Sequence, residues 1–265
     1  MPILDKLFWK NPILMWLSRH GLYDDTFPAV PFAQKAMKQR IDAQDGIKDP
    51  GRMDEDFLAK FLKAKEQHPE VVGNDEVLAM ALSMVFAGSE TTAISLSSIF
   101  YYLLKNPQCL AKLIDEIDTN LPPVDLDRPY YATPFSKAQQ LPYLDACVKE
   151  AFRMHPAPAF DLERVVPSGG TTICGEQIPA GTIVSCNAWV MHRNKSIFGE
   201  DVEVYRPERW LENLEQAKVM NSTLFQFGQG ARTCIGKNIS TLEMYKLIPS
   251  IFKTFQVRYT TKFSS

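Results

Sequence analysis

Residues Phe227–Gly236 read FGQGARTCIG, a ten-residue stretch holding three glycines and one cysteine. Glycine lets a backbone turn tightly and approach a ligand closely, so a run this rich in it predicts a loop shaped around something. The residues that follow, from Gly236 to about Phe255, carry apolar positions at helical spacing. Pro249 lies inside that run and should kink the helix, because its ring removes an N–H and crowds the preceding turn. Cys234 therefore sits where a helix begins. There the aligned peptide dipoles and free amide donors favour negative charge on sulfur, which suits a cysteine to metal ligation. A free cysteine is as often an inert core residue, and on this stretch alone both readings stand.

Working upstream, an apolar run from about Asp75 to Lys105 is bounded by Gly73-Asn74 and by Asn106-Pro107. It predicts one helix far longer than is usual in a globular protein. The length would span a bilayer, but Glu90 stands in its middle among serines and threonines, an expensive place for a carboxylate in lipid. A buried, amphipathic core helix is the expectation. Within it lies Ala87-Gly88-Ser89-Glu90-Thr91-Thr92. Thr91 follows Ala87 by four residues, so its hydroxyl can bond that carbonyl, loosen the helical ladder and leave a groove beside Gly88. Glu90 and Thr91 form an acid and alcohol pair able to relay protons through water. Incidental small residues in a core helix account for the same pattern equally well. Further on, Glu150-Ala151-Phe152-Arg153 sets a carboxylate and a guanidinium on one helix face, a spacing usually met as a solvated ion pair.

Taken together these stretches resemble the cytochrome P-450 family of haem-thiolate monooxygenases. Phe227, Gly230, Arg232, Cys234 and Gly236 meet the whole of that family's Phe-x-x-Gly-x-Arg-x-Cys-x-Gly signature. Ala87–Thr92 matches its oxygen-activation segment, and Glu150 with Arg153, followed by Pro207-Glu208-Arg209-Trp210, matches its buried triad. The resemblance implies haem b (heme b) bound axially through Cys234, whose thiolate pushes electron density to the iron. It implies Phe227 on the sulfur side of the ring and Arg232 paired with a propionate. Arg164 falls where many members place a second propionate arginine, and Gly230 and Gly236 belong to the cofactor loop. Glu90 and Thr91 would be catalytic, and Glu150, Arg153 and Arg209 a structural lock around the haem loop. Ala157, Pro158, Ala159 and Phe160, with residues near Ser83 and Phe86, would line an apolar substrate pocket. LERVVP (162–167), IPAGTIVSCNAWVMHRN (178–194) and GKNISTLEMYKLIP (236–249) look most like fungal members similar to pisatin demethylase or benzoate hydroxylase.

The implied fold is mainly α with small antiparallel β-sheets, the C-terminal part of the cytochrome P-450 fold over residues 1–265. The residues agree. Helical spacing marks Asp54–Gln67, with Phe57, Leu58, Phe61, Leu62 and Ala64 on one face, then Gln108–Asp118 and Leu141–His155. Short strands are expected at Leu162–Val166, Thr171–Cys174, Gln177–Ile178 and Thr182–Cys186. Between there and the last helix few regular elements are expected. Gln34–Gly51 reads as a helix and a charged loop, and the first twenty residues as an amphipathic packing segment interrupted by charges and prolines.

A formal net charge of −2 offers no basic face for phosphate backbones, so nucleic acid is excluded as a partner. Five cysteines without a CxxC pair point to a reducing compartment. His155 and His192 find no second ligand at metal-binding spacing and read as structural. The resemblance implies a small apolar organic substrate, dioxygen, and an NADPH-dependent reductase as electron donor. It also implies the cytosolic face of the endoplasmic reticulum membrane for a full-length enzyme, and the cytoplasm for this chain, in which no anchor is read. The expected alternative is a truncated, catalytically inactive fragment that does not retain haem. A cysteine-nucleophile hydrolase built on Cys234 would need a base histidine and an orienting partner, and the haem signature speaks against it.

Overall fold

The computed structural model describes residues 56–124 and 131–259, with isolated positions between 13 and 39. The expected opening segment, most of the 34–51 stretch, and Asp54 lie outside the described residues. Two compact units divide the chain at Ala87 and Gly88. In the first, helix α1 (Phe57–Gln67) starts where the Asp56 carboxylate accepts the Ala59 N–H at 2.8 Å, satisfying a donor the first turn leaves open. Leu58, Phe61, Leu62 and Ala64 are half-buried, whereas Phe57, expected on the same face, is exposed. Helix α2 (Asn74–Lys105) begins in this unit, where Glu76 reaches back to accept the Gly73 N–H at 2.8 Å.

In the second unit α2 continues unbroken through Thr91 to Lys105. One stripe of it, Thr92, Ser95, Ile99 and Leu103, is buried, and Ile94 and Tyr101 on other faces are exposed. The expected amphipathic core helix is thus met along one face, which the spacing i, i+3, i+7, i+11 buries. Among the described residues α2 is the one helix long and apolar enough to cross a membrane. Helix α3 (Pro107–Asn120) puts Cys109, Leu113 and Ile117 on its buried stripe, and α4 is a single turn, Phe135–Ala138. Helix α5 (Pro142–Met154) buries ten of its thirteen residues. Its first turn is capped by Glu116 of α3, whose two carboxylate oxygens accept the Tyr143 and Leu144 N–H groups at 2.7 and 2.9 Å. One carboxylate thereby closes a helix end and fixes the angle between two helices.

Two two-stranded antiparallel sheets follow. Strand β1 (Arg164–Val165) pairs with β4 (Ile183–Val184), and β2 (Thr171–Ile173) with β3 (Glu176–Ile178). The β2–β3 turn is Cys174-Gly175 with both residues at positive φ, the two-residue geometry that matches strand twist. The mainly helical fold with small sheets is as expected; β1, β2 and β4 are shorter than the sequence implied and β3 is one residue longer, with few of their side chains buried.

The region expected to hold few elements contains four helices: α6 (Ala188–Met191), α7 (Lys195–Phe198), α8 (Arg209–Glu212) and α9 (Leu214–Thr223). Asparagines mark three of their starts, since Asn187, Asn194 and Asn213 each accept an N–H of the first turn. Helix α10 (Lys237–Thr254) runs on through the buried Pro249 without ending. Ile99 and Leu103, Leu113 and Ile117, Leu144, Cys147 and Ala151, and Met244, Ile248 and Phe252 pack as one core from α2, α3, α5 and α10. A second cluster gathers Ala146, Phe198, Val202, Trp210, Met220 and Leu224. Each large side chain so buried contributes about 1.5–3 kcal/mol. These two clusters hold the loops between them in place.

Candidate functional site

The Phe227–Gly236 stretch forms a closed loop at the start of α10. Its neck is one hydrogen bond, the Cys234 N–H donating to the Phe227 carbonyl at 2.8 Å. Inside the loop Gly230–Arg232 makes a single 3-10 turn, entered through Gly228 at φ 64° and Gly230 at φ 70°. These conformations are strained for any residue with a side chain. Gly236 is different: its φ is −83°, and a Cβ there would lie 3.8 Å from the Cys234 sulfur. What glycine supplies at 236 is clearance beside the thiol.

Phe227 anchors the loop edge-on against Phe152 of α5, with ring centroids 5.5 Å apart, and packs on the main core. The tip faces outward. Cys234 is exposed, Ile235 is 93% exposed, and the Arg232 guanidinium makes no hydrogen bond or ion pair among the described residues. An apolar residue, a thiol and an unpaired cation presented together on a braced loop suit a flat, apolar, anionic ligand held by a metal–sulfur bond. Among the described residues no group of three or more His, Cys, Asp or Glu side chains could hold a metal by itself. The chemistry here therefore fits an iron carried by a haem better than a bare ion. Arg164 is exposed, donates to the Glu163 carbonyl at 2.7 Å, and lines an open cleft with Ile178, Val184, Phe225 and Gln229 at the entrance to the same loop.

Helix α2 is tied to α10 one turn after the cysteine: the Thr92 and Ser240 hydroxyls lie 3.1 Å apart. Thr92 is buried, while Glu90 and Thr91 beside it are exposed, so the turn carrying them is fixed relative to α10 through their neighbour. The Thr91 carbonyl accepts the Ser95 hydroxyl at 2.8 Å. Beside Gly88 nothing lies within 4 Å of where a Cβ would stand, so that side of the helix is open, although the helix stays α-helical there.

Glu150, Arg153 and Arg209 meet in one buried network. Glu150 and Arg153 are fully buried and Arg209 nearly so. One Glu150 oxygen accepts Arg153 Nη2 at 2.8 Å, Arg209 Nε at 2.9 Å and the Arg206 N–H at 3.0 Å. The other accepts Arg153 Nε at 2.9 Å and Trp210 Nε1 at 3.0 Å. Arg153 also donates to the carbonyls of His192, Val202 and Val204, and Arg209 to those of Phe198, Asp201 and Val204. Carboxylate and guanidiniums are saturated, as a buried charge cluster requires.

Sequence reasoning missed several members. Asp201 pairs with both Arg209 and Arg206, at 2.9 and 2.7 Å. Burial opposes its charge, but those two guanidiniums outweigh it and hold the carboxyl down at about 2. His192 is fully buried and its Nε2 accepts the Phe225 N–H at 2.8 Å. Burial pushes its imidazole down to about 4, against the pull of the nearby Arg153 and Phe152 backbone. The partners of His192 are distant in sequence, so no local pattern announces it, whereas the arginines that hold Asp201 follow it closely and meet it only once the turn between them is folded. Trp210 stood in the quoted stretch, but its indole donor could not be placed without the fold.

A cysteine loop, a buried carboxylate with two guanidiniums, and a long helix carrying an acid and an alcohol are the features that the resemblance to the haem-thiolate class led one to expect. The cytochrome P-450 sequence profile matches residues 6–263. The chain is 42% identical over 258 residues to the cytochrome P-450 monooxygenase cicH of Emericella nidulans, covering 97% of this chain and 50% of that one. It is 40% identical to a cytochrome P-450 monooxygenase of Aspergillus terreus, with coverages of 97% and 51%. With a pisatin demethylase of Fusarium vanettenii it shares 41% over 225 residues, 84% of this chain and 42% of that one. This protein belongs to the cytochrome P-450 family. It spans about half the length of these curated relatives.

Proposed function

We propose that the chain is the cofactor-binding part of a haem-thiolate monooxygenase that inserts one atom of dioxygen into a small apolar organic substrate. The observation that carries this is the presentation of Cys234, Ile235 and the unpaired Arg232 on a loop whose neck and flank are fixed. Cys234 would hold the iron of haem b, Arg232 and Arg164 would neutralise its two propionates, and Phe227 would screen the sulfur from water. When bound, the haem supplies dioxygen activation and oxygen transfer.

Every other part belongs to the chain. The Cys234 N–H, already committed to the Phe227 carbonyl, fixes the backbone from which the thiol projects. Glu90 takes protons from water at its carboxylate, and the Thr91 hydroxyl passes them across the open side of α2 beside Gly88. Glu150, Arg153 and Arg209 keep the segments on either side of the loop from moving apart. Electrons come from an NADPH-dependent reductase, and the substrate is of the kind used in fungal secondary metabolism, aromatic compounds among them. The likeness to relatives named as monooxygenases and as a pisatin demethylase supports this. The whole protein would work at the cytosolic face of the endoplasmic reticulum membrane.

The test is Thr91→Ala in the full-length enzyme with its reductase. Expected is an unchanged thiolate-type Soret band with NADPH oxidation that no longer yields matching product. Coupled turnover at the wild-type ratio would remove Thr91 from the relay.

A further inference from the structure

His192 touches none of the groups assigned to the cofactor, yet it stands between the buried charge network and the cysteine loop. Its carbonyl accepts Arg153 Nη1 at 3.2 Å, and its Nε2 accepts the Phe225 N–H at 2.8 Å. The ring packs edge-on to Phe198, 6.2 Å between centroids, at the margin of the second cluster. Phe225 is in turn bonded into the loop, since its carbonyl accepts the Gly228 N–H at 3.0 Å. Two residues further on, Phe227 closes the neck over Cys234. One path from Glu150 to the thiol loop therefore runs through His192, from Glu150 to Arg153, Arg153 to the His192 backbone and the His192 ring to Phe225, beside the ring contact of Phe152 with Phe227.

The direction of the last bond settles the state of the ring. An amide N–H can only donate, so Nε2 is an acceptor and the ring is neutral with its proton on Nδ1. The bond joins the fully buried His192 ring to the half-buried Phe225, so removing the acceptor leaves an amide only partly able to turn to water.

We propose that His192 is a positioning residue for the cysteine loop, transmitting the fixed geometry of the Glu150–Arg153 pair to the Phe225–Cys234 segment through its Nε2 acceptor. This rests on the reading of the loop as a haem site only for its functional consequence. The mechanical claim concerns the chain alone.

The experiment compares His192→Leu, His192→Gln and the core control Leu113→Ala in the full 265-residue chain. It follows residue-resolved amide exchange and, after supplying haem, the reduced carbon-monoxide spectrum. Leucine removes the acceptor, glutamine can return an oxygen to the Nε2 position, and Leu113→Ala lowers stability at a site remote from the loop in sequence. Under conditions where local opening dominates, His192→Leu should speed exchange at Phe225, Gly228 and Cys234 by about tenfold or more, with His192→Gln restoring most of the protection. Leu113→Ala should leave these three amides no faster than the rest of the chain. In haem-loaded protein the same leucine variant should lose thiolate-type Soret intensity, and the glutamine variant should regain it. Equal acceleration in the Leu113→Ala control, or unchanged exchange at Phe225 and Cys234 in His192→Leu, would overturn the proposal. If wild type and variants alike show no thiolate band, the proposed function fails, and the exchange data still decide the role of His192.

Discussion

Replacing Glu150 with alanine removes the acceptor of five hydrogen bonds at once. The losses are unequal. Arg209 keeps the Asp201 carboxylate at 2.9 Å as a counter-charge, so its guanidinium is not stranded. Arg153 keeps only carbonyls, and a fully buried cation without a counter-charge costs about 3–5 kcal/mol. Trp210 Nε1 and the Arg206 N–H each lose an acceptor, at about 1–3 kcal/mol where water cannot reach. The total is on the order of 5–11 kcal/mol, comparable with the 5–15 kcal/mol that holds a typical domain. Glu150→Gln separates charge from shape. Its oxygen can serve Arg153 Nη2, Arg209 Nε and the Arg206 N–H, leaving its amide opposed to Arg153 Nε and Trp210 Nε1. It should fall between wild type and alanine. Urea denaturation followed by circular dichroism orders the three proteins. An alanine variant within about 1 kcal/mol of wild type, or a glutamine variant as unstable as alanine, would refute the claim that this network is a structural lock.

Stability should also fall with acid in two steps. His192 is held near 4 against 6.5 when unfolded, so the unfolded chain takes up a proton first as pH drops. The stability it contributes is complete above pH 6.5 and is lost on descent towards pH 4, about 3 kcal/mol in all. His192→Gln should flatten that part of a urea-midpoint profile. Asp201, depressed from 3.8 to about 2, contributes stability above pH 3.8 that disappears towards pH 2. Its partial exposure reduces the effect to the order of 1–2 kcal/mol. Leu113→Ala, at a fully buried position between α3 and its neighbours, should cost about 2–5 kcal/mol by the same measurement. Gly230→Ala, forced to keep φ near 70°, should lose about 1 kcal/mol and weaken haem retention, measured by equilibrium haem titration.

What could be read from the chain beforehand divides by the range of the interactions. The long helix and the final helix depend on local spacing and on a few punctuating glycines and prolines, and their residues announced them. The cysteine loop was legible for the same reason, since five motif residues lie within ten positions. Helices α6 to α9 were missed because three of them are single turns, too short to show a period; the asparagine caps of α6, α7 and α9 were the available signal. The long helix was expected to be an amphipathic core helix, yet its apolar composition does not say which face meets a partner. Thr92 shows the limit at its sharpest. The sequence drew attention to Glu90 and Thr91, and only the packing of α2 on α10 reveals that the next residue makes the connection to Ser240. His192 acts through partners that folding alone brings near, and Asp201 through two arginines that closely follow it in sequence.

The central claim is that the Phe227–Gly236 loop binds haem iron through Cys234. The most direct measurement is the reduced, carbon-monoxide difference spectrum of the haem-supplied chain beside its Cys234→Ala variant. The account predicts a red-displaced, thiolate-type Soret band in the wild type that is absent from the variant. The same band in Cys234→Ala, or none in the wild type at saturating haem, would contradict it.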